Sequence, residues 1–188
     1  GLSRTHPDFY ATSVMNMKLG GNFSGDVNMV LREEKGFTYG ARTGFSGSKL
    51  PGKFTASSGV RSNTTEESVN IFKNLMSAYR EPISGEDLAF TKNVTLKSNA
   101  RRFETLGALR GMISNIAIYG LPVNYIEEQE DIVREMSVES HNTLAKKYIR
   151  PDEMIYLVVG DAATQLDGMK SLGFGDPILL DVNGNPVK

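Results

Sequence analysis

The sequence holds no cysteine and no tryptophan, and only two histidines among 188 residues. Without cysteine, disulfides, cysteine-ligated zinc and thiol catalysis are all excluded. Without tryptophan, packing falls on Leu, Ile, Val, Met and Phe. An excess of one charge is missing too: 21 Lys and Arg stand against 22 Asp and Glu, a net charge of -1. No basic footprint for nucleic acid or an anionic membrane surface exists, so nucleic acid is not an expected partner, while neutral and peptide ligands stay open. No apolar run is long enough to span a bilayer, and no signal peptide opens the chain. The sequence begins Gly1-Leu2-Ser3-Arg4 rather than with Met, and the expectation is a piece of a longer polypeptide. A cysteine-free chain suits a bacterial envelope and a cytoplasm equally, so the compartment stays open.

What is present suits one packed domain over residues 1–188: 39% hydrophobic and 23% charged residues are near globular averages. After a lead-in, Pro7 and Asp8 mark a helix start, and Tyr10, Val14 and Met17 recur at helical spacing through Lys18. Leu19-Gly20-Gly21-Asn22 stops that helix, and a short one follows from Asp26 to Lys35, ended by Gly36. Tyr39–Ser46 and Lys53–Val60 read as two strands joined by a hairpin-like linker. Val69, Phe72, Leu75 or Met76, and Tyr79 make an apolar stripe on a helix closed by Pro82. Ser84-Gly85-Glu86-Asp87 is a helix start with Ser84 as cap and an acid three residues on.

From Glu86 to Gly120 the pattern predicts helix almost throughout, with Phe103, Leu106, Leu109, Met112 or Ile113, and Ile116 on one face. Shorter helices are expected at 123–134 and 138–148, a buried strand at Met154–Val159, a helix at 162–172 and a terminal strand at 177–180. Strands in pairs with helices gathered between them predict an α+β fold, an antiparallel-rich sheet packed against helices. A first strand is expected either to be missing upstream of Leu2 or to begin in the lead-in.

Familiar catalytic centres are absent. His6 and His141 belong to neither His-Glu-x-x-His nor His-x-x-Glu-His, and both are read as solvated surface residues. Gly-x-Ser-x-Gly does not occur. Gly20-Gly21 and Ser24-Gly25 lack the lysine of a phosphate loop and follow a helix rather than a strand. The pairs Glu33-Glu34, Glu66-Glu67 and Glu127-Glu128 point about 100° apart on a helix and are read as solvated faces.

One segment remains. The glycine-rich loop Gly20, Gly21, Asn22, Phe23 and Ser24 leads to Leu31-Arg32-Glu33, Gly36 and Tyr39. Arginine offers a planar fork of donors for carbonyl or carboxylate oxygens, and tyrosine one more donor on a rigid stem. Such donors beside a turn can grip a peptide backbone or an oxyanion. On chemistry alone, a surface arginine and a half-buried strand tyrosine are the plainer reading.

Leu19-Gly20-Gly21, then Leu31-Arg32-Glu33 with Gly36 and Tyr39, resembles the C-terminal, non-zinc domain of the pitrilysin/insulinase zinc peptidases, the group that includes mitochondrial processing peptidase. The likeness extends through Pro82-Ile83-Ser84-Gly85-Glu86-Asp87-Leu88, Tyr119-Gly120-Leu121-Pro122 and Ile155-Tyr156-Leu157-Val158-Val159-Gly160-Asp161-Ala162. It departs at Gly25-Asp26-Val27, where the family has a small residue, Arg and Leu.

The resemblance implies a processing-peptidase-like sandwich with no metal in this chain. A homologous N-terminal domain, in the same chain or a separate subunit, would carry the zinc. It also implies that Arg32 and Tyr39 hold peptide substrate bound at that zinc site. The alternative is a structural pseudo-peptidase subunit of the same fold, a reading that Asp26 keeps open.

Overall fold

The computed structural model describes residues 1–100 and 103–187. Helix α1 (Phe9–Asn16) runs into a π-helical turn at Met17–Gly21, kinked where Gly20 leaves helical geometry (φ -179°, ψ 16°). A second unit repeats the pattern, α2 (Asp26–Asn28) passing into a π-helical turn at Met29–Glu34. Its wide turn shows in the bond from the Lys35 amide to the Val30 carbonyl, 3.0 Å. Gly36 reverses the chain at φ 62°, a left-handed conformation that favours glycine. Strands β1 (Thr38–Phe45) and β2 (Phe54–Val60) then form an antiparallel hairpin, with Arg42 opposite Ser57 and Gly44 opposite Thr55.

Helices make up the rest: α3 (Thr65–Ala78), α4 (Gly85–Ala100), α5 (Leu106–Tyr119), α6 (Tyr125–Glu135), α7 (Val138–Tyr148) and α8 (Ala162–Lys170). The α+β class follows: helices pack around one small antiparallel sheet. The main core gathers Met15, Leu19, Val27, Leu31, Met76, Tyr79, Ala145 and Ile149, all nearly sealed from solvent. Each such large side chain contributes roughly 1.5–3 kcal/mol by leaving water. A smaller cluster of Val14, Leu88, Val133 and Met136 joins α1 to α4 and α6. No described helix is long and apolar enough to cross a membrane.

The stripe on α3 packs as its spacing predicts, with Met76 and Tyr79 buried. Ser84 caps α4, accepting from the Asp87 amide at 3.0 Å while its hydroxyl donates to the Asp87 carboxylate at 2.8 Å. Asp8, expected only as first-turn charge, also reaches α7, accepting from Tyr148 at 2.6 Å and Lys147 at 2.9 Å. The Tyr148 hydroxyl, and then the Lys147 ammonium, hold its carboxyl below the usual range.

Four expectations need correction. The long helix from Glu86 to Gly120 is two: α4 ends at Ala100, residues 101 and 102 lie outside the described residues, and α5 begins only at Leu106, capped by Thr105. Phe103 therefore precedes α5, and on the apolar face that follows Leu106, Leu109 and Ile113 are exposed while Met112 and Ile116 are half-buried. Met154–Val159 is extended but pairs with no described strand. The terminal strand shrinks to one bridge between Leu180 and Pro186.

His141 is the fourth: it is wholly buried, one helical turn from Ala145 on the inner face of α7. Tyr79 donates to the Met15 carbonyl at 2.7 Å, so its oxygen can accept from His141 Nε2 at 3.2 Å, with the same carbonyl 3.3 Å from that nitrogen. Burial pulls the imidazole below its usual pKa, and it is held neutral.

Candidate functional site

The candidate site is assembled where the two π-helical turns meet the hairpin. Asn16, at the end of α1, donates to the Thr43 carbonyl at 3.0 Å and accepts from the Thr43 hydroxyl at 2.6 Å. Asn28, at the end of α2, accepts from the Ala41 amide at 3.0 Å and donates to the Phe23 carbonyl at 2.8 Å. These two buried amides bind one edge of β1 to the helices and anchor the glycine loop to the strand. Buried polar groups are tolerated at low cost when satisfied in this way.

Glycine is demanded at Gly20 by proximity. A Cβ there would lie 2.6 Å from Val27 and 2.8 Å from the Thr43 backbone nitrogen. Gly25 packs against it in turn: a Cβ would meet the Gly20 Cα at 2.7 Å. The loop between them is fixed by the Ser24 amide donating to Asn22 Oδ1 at 2.6 Å. That bond sets the orientation of the Asn22 amide and leaves its buried Nδ2 with no partner among the described residues.

A cleft of about 630 Å3 opens here, lined by Gly20, Gly21, Asn22 and Phe23, by Tyr39 and Arg42 of β1, and by Ser57 and Ser58 of β2. Five of the residues singled out from sequence thus meet at one place: Gly20, Gly21, Asn22, Phe23 and Tyr39. Ser24 lies outside the lining. Arg32 does too, but its guanidinium lies 4.5 Å from the centre of the Phe23 ring and 3.5 Å from the Glu33 carboxylate. A cation over an aromatic face is attracted by the ring quadrupole. Arg32 is therefore held at the rim.

Tyr39 is not the half-buried strand tyrosine that chemistry alone favours. It is 98% exposed, and its hydroxyl has no partner among the described residues. The cause is local: the β1–β2 register is irregular between Thr38 and Ala41, and the Thr38 hydroxyl turns inward to the Gly59 carbonyl at 2.7 Å. Such an irregularity re-aims the side chain beside it.

Arg42 is the residue the sequence reading missed. One alternating strand position, in a stretch where solvent-facing arginines are ordinary, carries no distinguishing signal. It lines the cleft without an ion-pair partner among the described residues. No aspartate or glutamate lines the cleft, so its polar chemistry is dominated by donors: a guanidinium, a phenol and an amide.

Asp26 is accommodated. Lys18 donates to it at 2.6 Å, and Asp87 lies 3.4 Å from the same ammonium. Burial opposes the Lys18 charge, but the two acids outweigh it and hold the ammonium above its usual range. Burial raises the Asp26 carboxyl despite its partner.

Among the described residues, no group of three or more His, Asp or Glu side chains can hold a metal ion. The two histidines fit none: His6 Nδ1 accepts from the Asp8 amide at 3.0 Å, and His141 is enclosed in the core.

Comparison with known proteins agrees with this architecture. The family profile of the peptidase M16 inactive domain matches residues 1–95, a stretch that contains the whole cleft. The chain belongs to that family. It is 22% identical over 155 residues to a Helicobacter pylori protein described as the non-peptidase homolog YmxG, covering 82% of this chain and 36% of the relative. A peptidase M16 inactive domain from Pseudomonas fluorescens superposes with a TM-score of 0.74 at 24% identity, covering 81% of this chain and 37% of that one. A candidate zinc protease from Bordetella pertussis superposes with a TM-score of 0.63 at 17% identity, covering 79% and 83%. The chain thus spans about a third of the length of the curated relative.

Proposed function

We propose that this domain is the substrate-binding half of a zinc-dependent metalloendopeptidase, working beside a homologous domain that holds the metal. The observation that carries the reading is the cleft. Donors from two chain segments line it, no carboxylate does, and a tyrosine hydroxyl stands free at its mouth. A peptide backbone offers carbonyl acceptors at regular intervals, and such a surface suits them. Tyr39 and Arg42 would hold the backbone from β1, the loop Gly20–Phe23 would let it approach closely, and Arg32 would reach it from above Phe23.

The donors of this chain do not fit zinc, so metal chemistry belongs to the partner domain. The Bordetella pertussis neighbour, described as a candidate zinc protease, supports that division. Tyr39 and Arg32 would orient the scissile carbonyl and donate to the oxygen that gains charge as the carbonyl is attacked. Removing one such donor costs about 100-fold in turnover or more.

The test mixes the domain with its zinc-bearing partner and an unstructured peptide. Arg32→Ala and Tyr39→Phe should each lower kcat strongly while leaving the unfolding midpoint unmoved. Unchanged turnover in both variants would refute the assigned roles.

A second reading, a non-enzymatic pseudo-peptidase subunit, is favoured by one finding: the Helicobacter pylori relative is described as a non-peptidase homolog. An intact His-x-x-Glu-His in the partner, with cleavage by the pair, decides against it. Peptide binding without cleavage decides for it.

A further inference from the structure

Ala41 and Thr43 of β1 turn into the protein and are buried. Side chains alternate along a strand, so Arg42 and Gly44 lie on the opposite, outer face. On β2, Phe54 and Ala56 pack against the core, which turns Thr55, Ser57 and Gly59 to that same outer face. The register sets Arg42 opposite Ser57 and Gly44 opposite Thr55. The outer face of the hairpin is thus a floor of glycines and short hydroxyl side chains, from which the Arg42 side chain rises.

Nothing inside the protein demands glycine on this floor. A Cβ at Gly44 or Gly59 would meet no atom within 4 Å, and at Gly40 only Asn28 Oδ1 at 3.9 Å. None of the three has a positive φ. Glycine inside a strand weakens it and often marks a place where a ligand or another backbone comes close. A bare floor lets a peptide backbone lie against the sheet, and the residue passing over its middle must then meet the Arg42 guanidinium.

That guanidinium is unengaged. Arg42 has no side-chain hydrogen bond, ion pair or ring contact among the described residues, and no carboxylate lines the cleft. Arg32 at the rim, by contrast, is already held by Glu33 and Phe23. We propose that Arg42 makes the cleft select peptides with an aspartate or glutamate at the position over the hairpin, an inference that rests on the peptide-binding reading above. A guanidinium has five N–H donors, so one edge can hold a backbone carbonyl while another pairs with a carboxylate through two parallel bonds. Ser57, directly across the ladder, adds a hydroxyl on the same face. The carboxylate is that of a side chain rather than of a chain terminus. The floor continues past Arg42 through Gly40 on one side and Gly44 on the other, so a bound chain runs on instead of ending there.

Stopped-flow fluorescence anisotropy on the domain paired with its zinc-bearing partner tests this, because it reads binding before cleavage. The probes are labelled, end-blocked peptides of Gly, Ser and Ala that carry one Glu, Gln or Lys at each position in turn. At one position Glu should bind at least about tenfold more tightly than Gln, the size of a single hydrogen-bonded charge contact. Lys should bind more weakly than Gln there, and added salt should shrink both differences. Arg42→Gln should remove the preference, and Arg42→Glu should turn it toward the Lys peptide. Equal binding of the Glu and Gln peptides overturns the inference and leaves the peptide-binding reading standing. A preference for Glu that survives Arg42→Gln overturns it as well. So does a Gln peptide with a free C-terminal carboxyl that binds as tightly as the blocked Glu peptide. If no peptide binds, both readings fall.

Discussion

Helices α3 and α5 are each 14 residues long, and each carries an apolar stripe at helical spacing, yet only one of them is part of the core. On α3 the stripe ends in Met76 and Tyr79, which are 1% and 6% exposed. On α5 no residue is buried, and Leu106 and Ile113 are 86% and 68% exposed. What holds α5 is partly polar. The Arg4 guanidinium stacks 5.5 Å from Phe9 and 5.5 Å from Tyr119, above a cleft that also involves His6, Met112, Asn115 and Tyr125. Periodicity reveals that a helix has a face; it does not say what that face meets.

The largest effect expected from that contrast is in the core. Met76→Ala removes a sealed side chain and leaves a cavity, which should cost about 2–5 kcal/mol. Urea unfolding should show a much lower midpoint with an unchanged slope. A loss below about 1 kcal/mol would mean that α3 is no better packed than α5.

The same contrast decides how much of the molecule was legible in its sequence. Gly36 at a positive φ, the Ser84 cap and the stripe ending in Tyr79 were all readable, because each depends on residues within a few positions. The glycine loop was readable as a turn. Its tightness was not, since Val27 and Thr43 reach Gly20 only after two further elements have folded. The π-helical turns have no signature separable from an ordinary amphipathic helix.

Tyr39 could be named but not aimed, because its exposure follows from a register irregularity opposite Val60. Arg42 could not be named at all. His141 was misread because nothing near it in sequence announces Tyr79 or the Met15 carbonyl. Met154–Val159 has the residues of a strand, and a strand is defined by its partner.

Next in size is Gly20→Ala. The new methyl would collide with the Thr43 backbone as well as the Val27 side chain, and backbone cannot swing aside. Overpacking of this kind should cost about 1–3 kcal/mol. Gly44→Ala, where a Cβ would meet nothing within 4 Å, is the control, and thermal unfolding of the pair measures the difference. Equal midpoints would show that the loop yields easily and that the cleft is less rigid than its contacts imply.

Acid should loosen the α3 side specifically. His141 sits against Tyr79, whose own hydroxyl is raised far above its usual range by burial, so neither group readily carries charge. The folded imidazole has its pKa below the ordinary 6.5, so the unfolded chain binds the extra proton first as pH falls. Stability rises with pH wherever the unfolded state holds more protons. The His141 contribution is therefore complete well above pH 6.5 and is lost progressively as pH drops below it. The slope from this one group is at most about 1.4 kcal/mol per pH unit. Asp8, with its depressed carboxyl, acts in the same direction but only at the lower pH where carboxylates titrate. Denaturant midpoints between pH 7 and 5 isolate the histidine. His141→Gln should flatten the profile in that window, and an unchanged slope would assign it elsewhere.

The smallest expected effect lies on α5, and it completes the contrast with α3. Ile113→Asn replaces a side chain that is 68% exposed, so little apolar area is returned to water. The unfolding midpoint should move by no more than about 0.5 kcal/mol, the range typical of surface sites. Dye binding to exposed apolar surface should fall, because Ile113 stands with Leu106 and Leu109 on a face that nothing in the described structure covers. A loss comparable with Met76→Ala would place α5 in the core and abolish the distinction. A small loss together with reduced dye binding would show that two stripes alike in sequence differ only in having, or lacking, a partner within these residues.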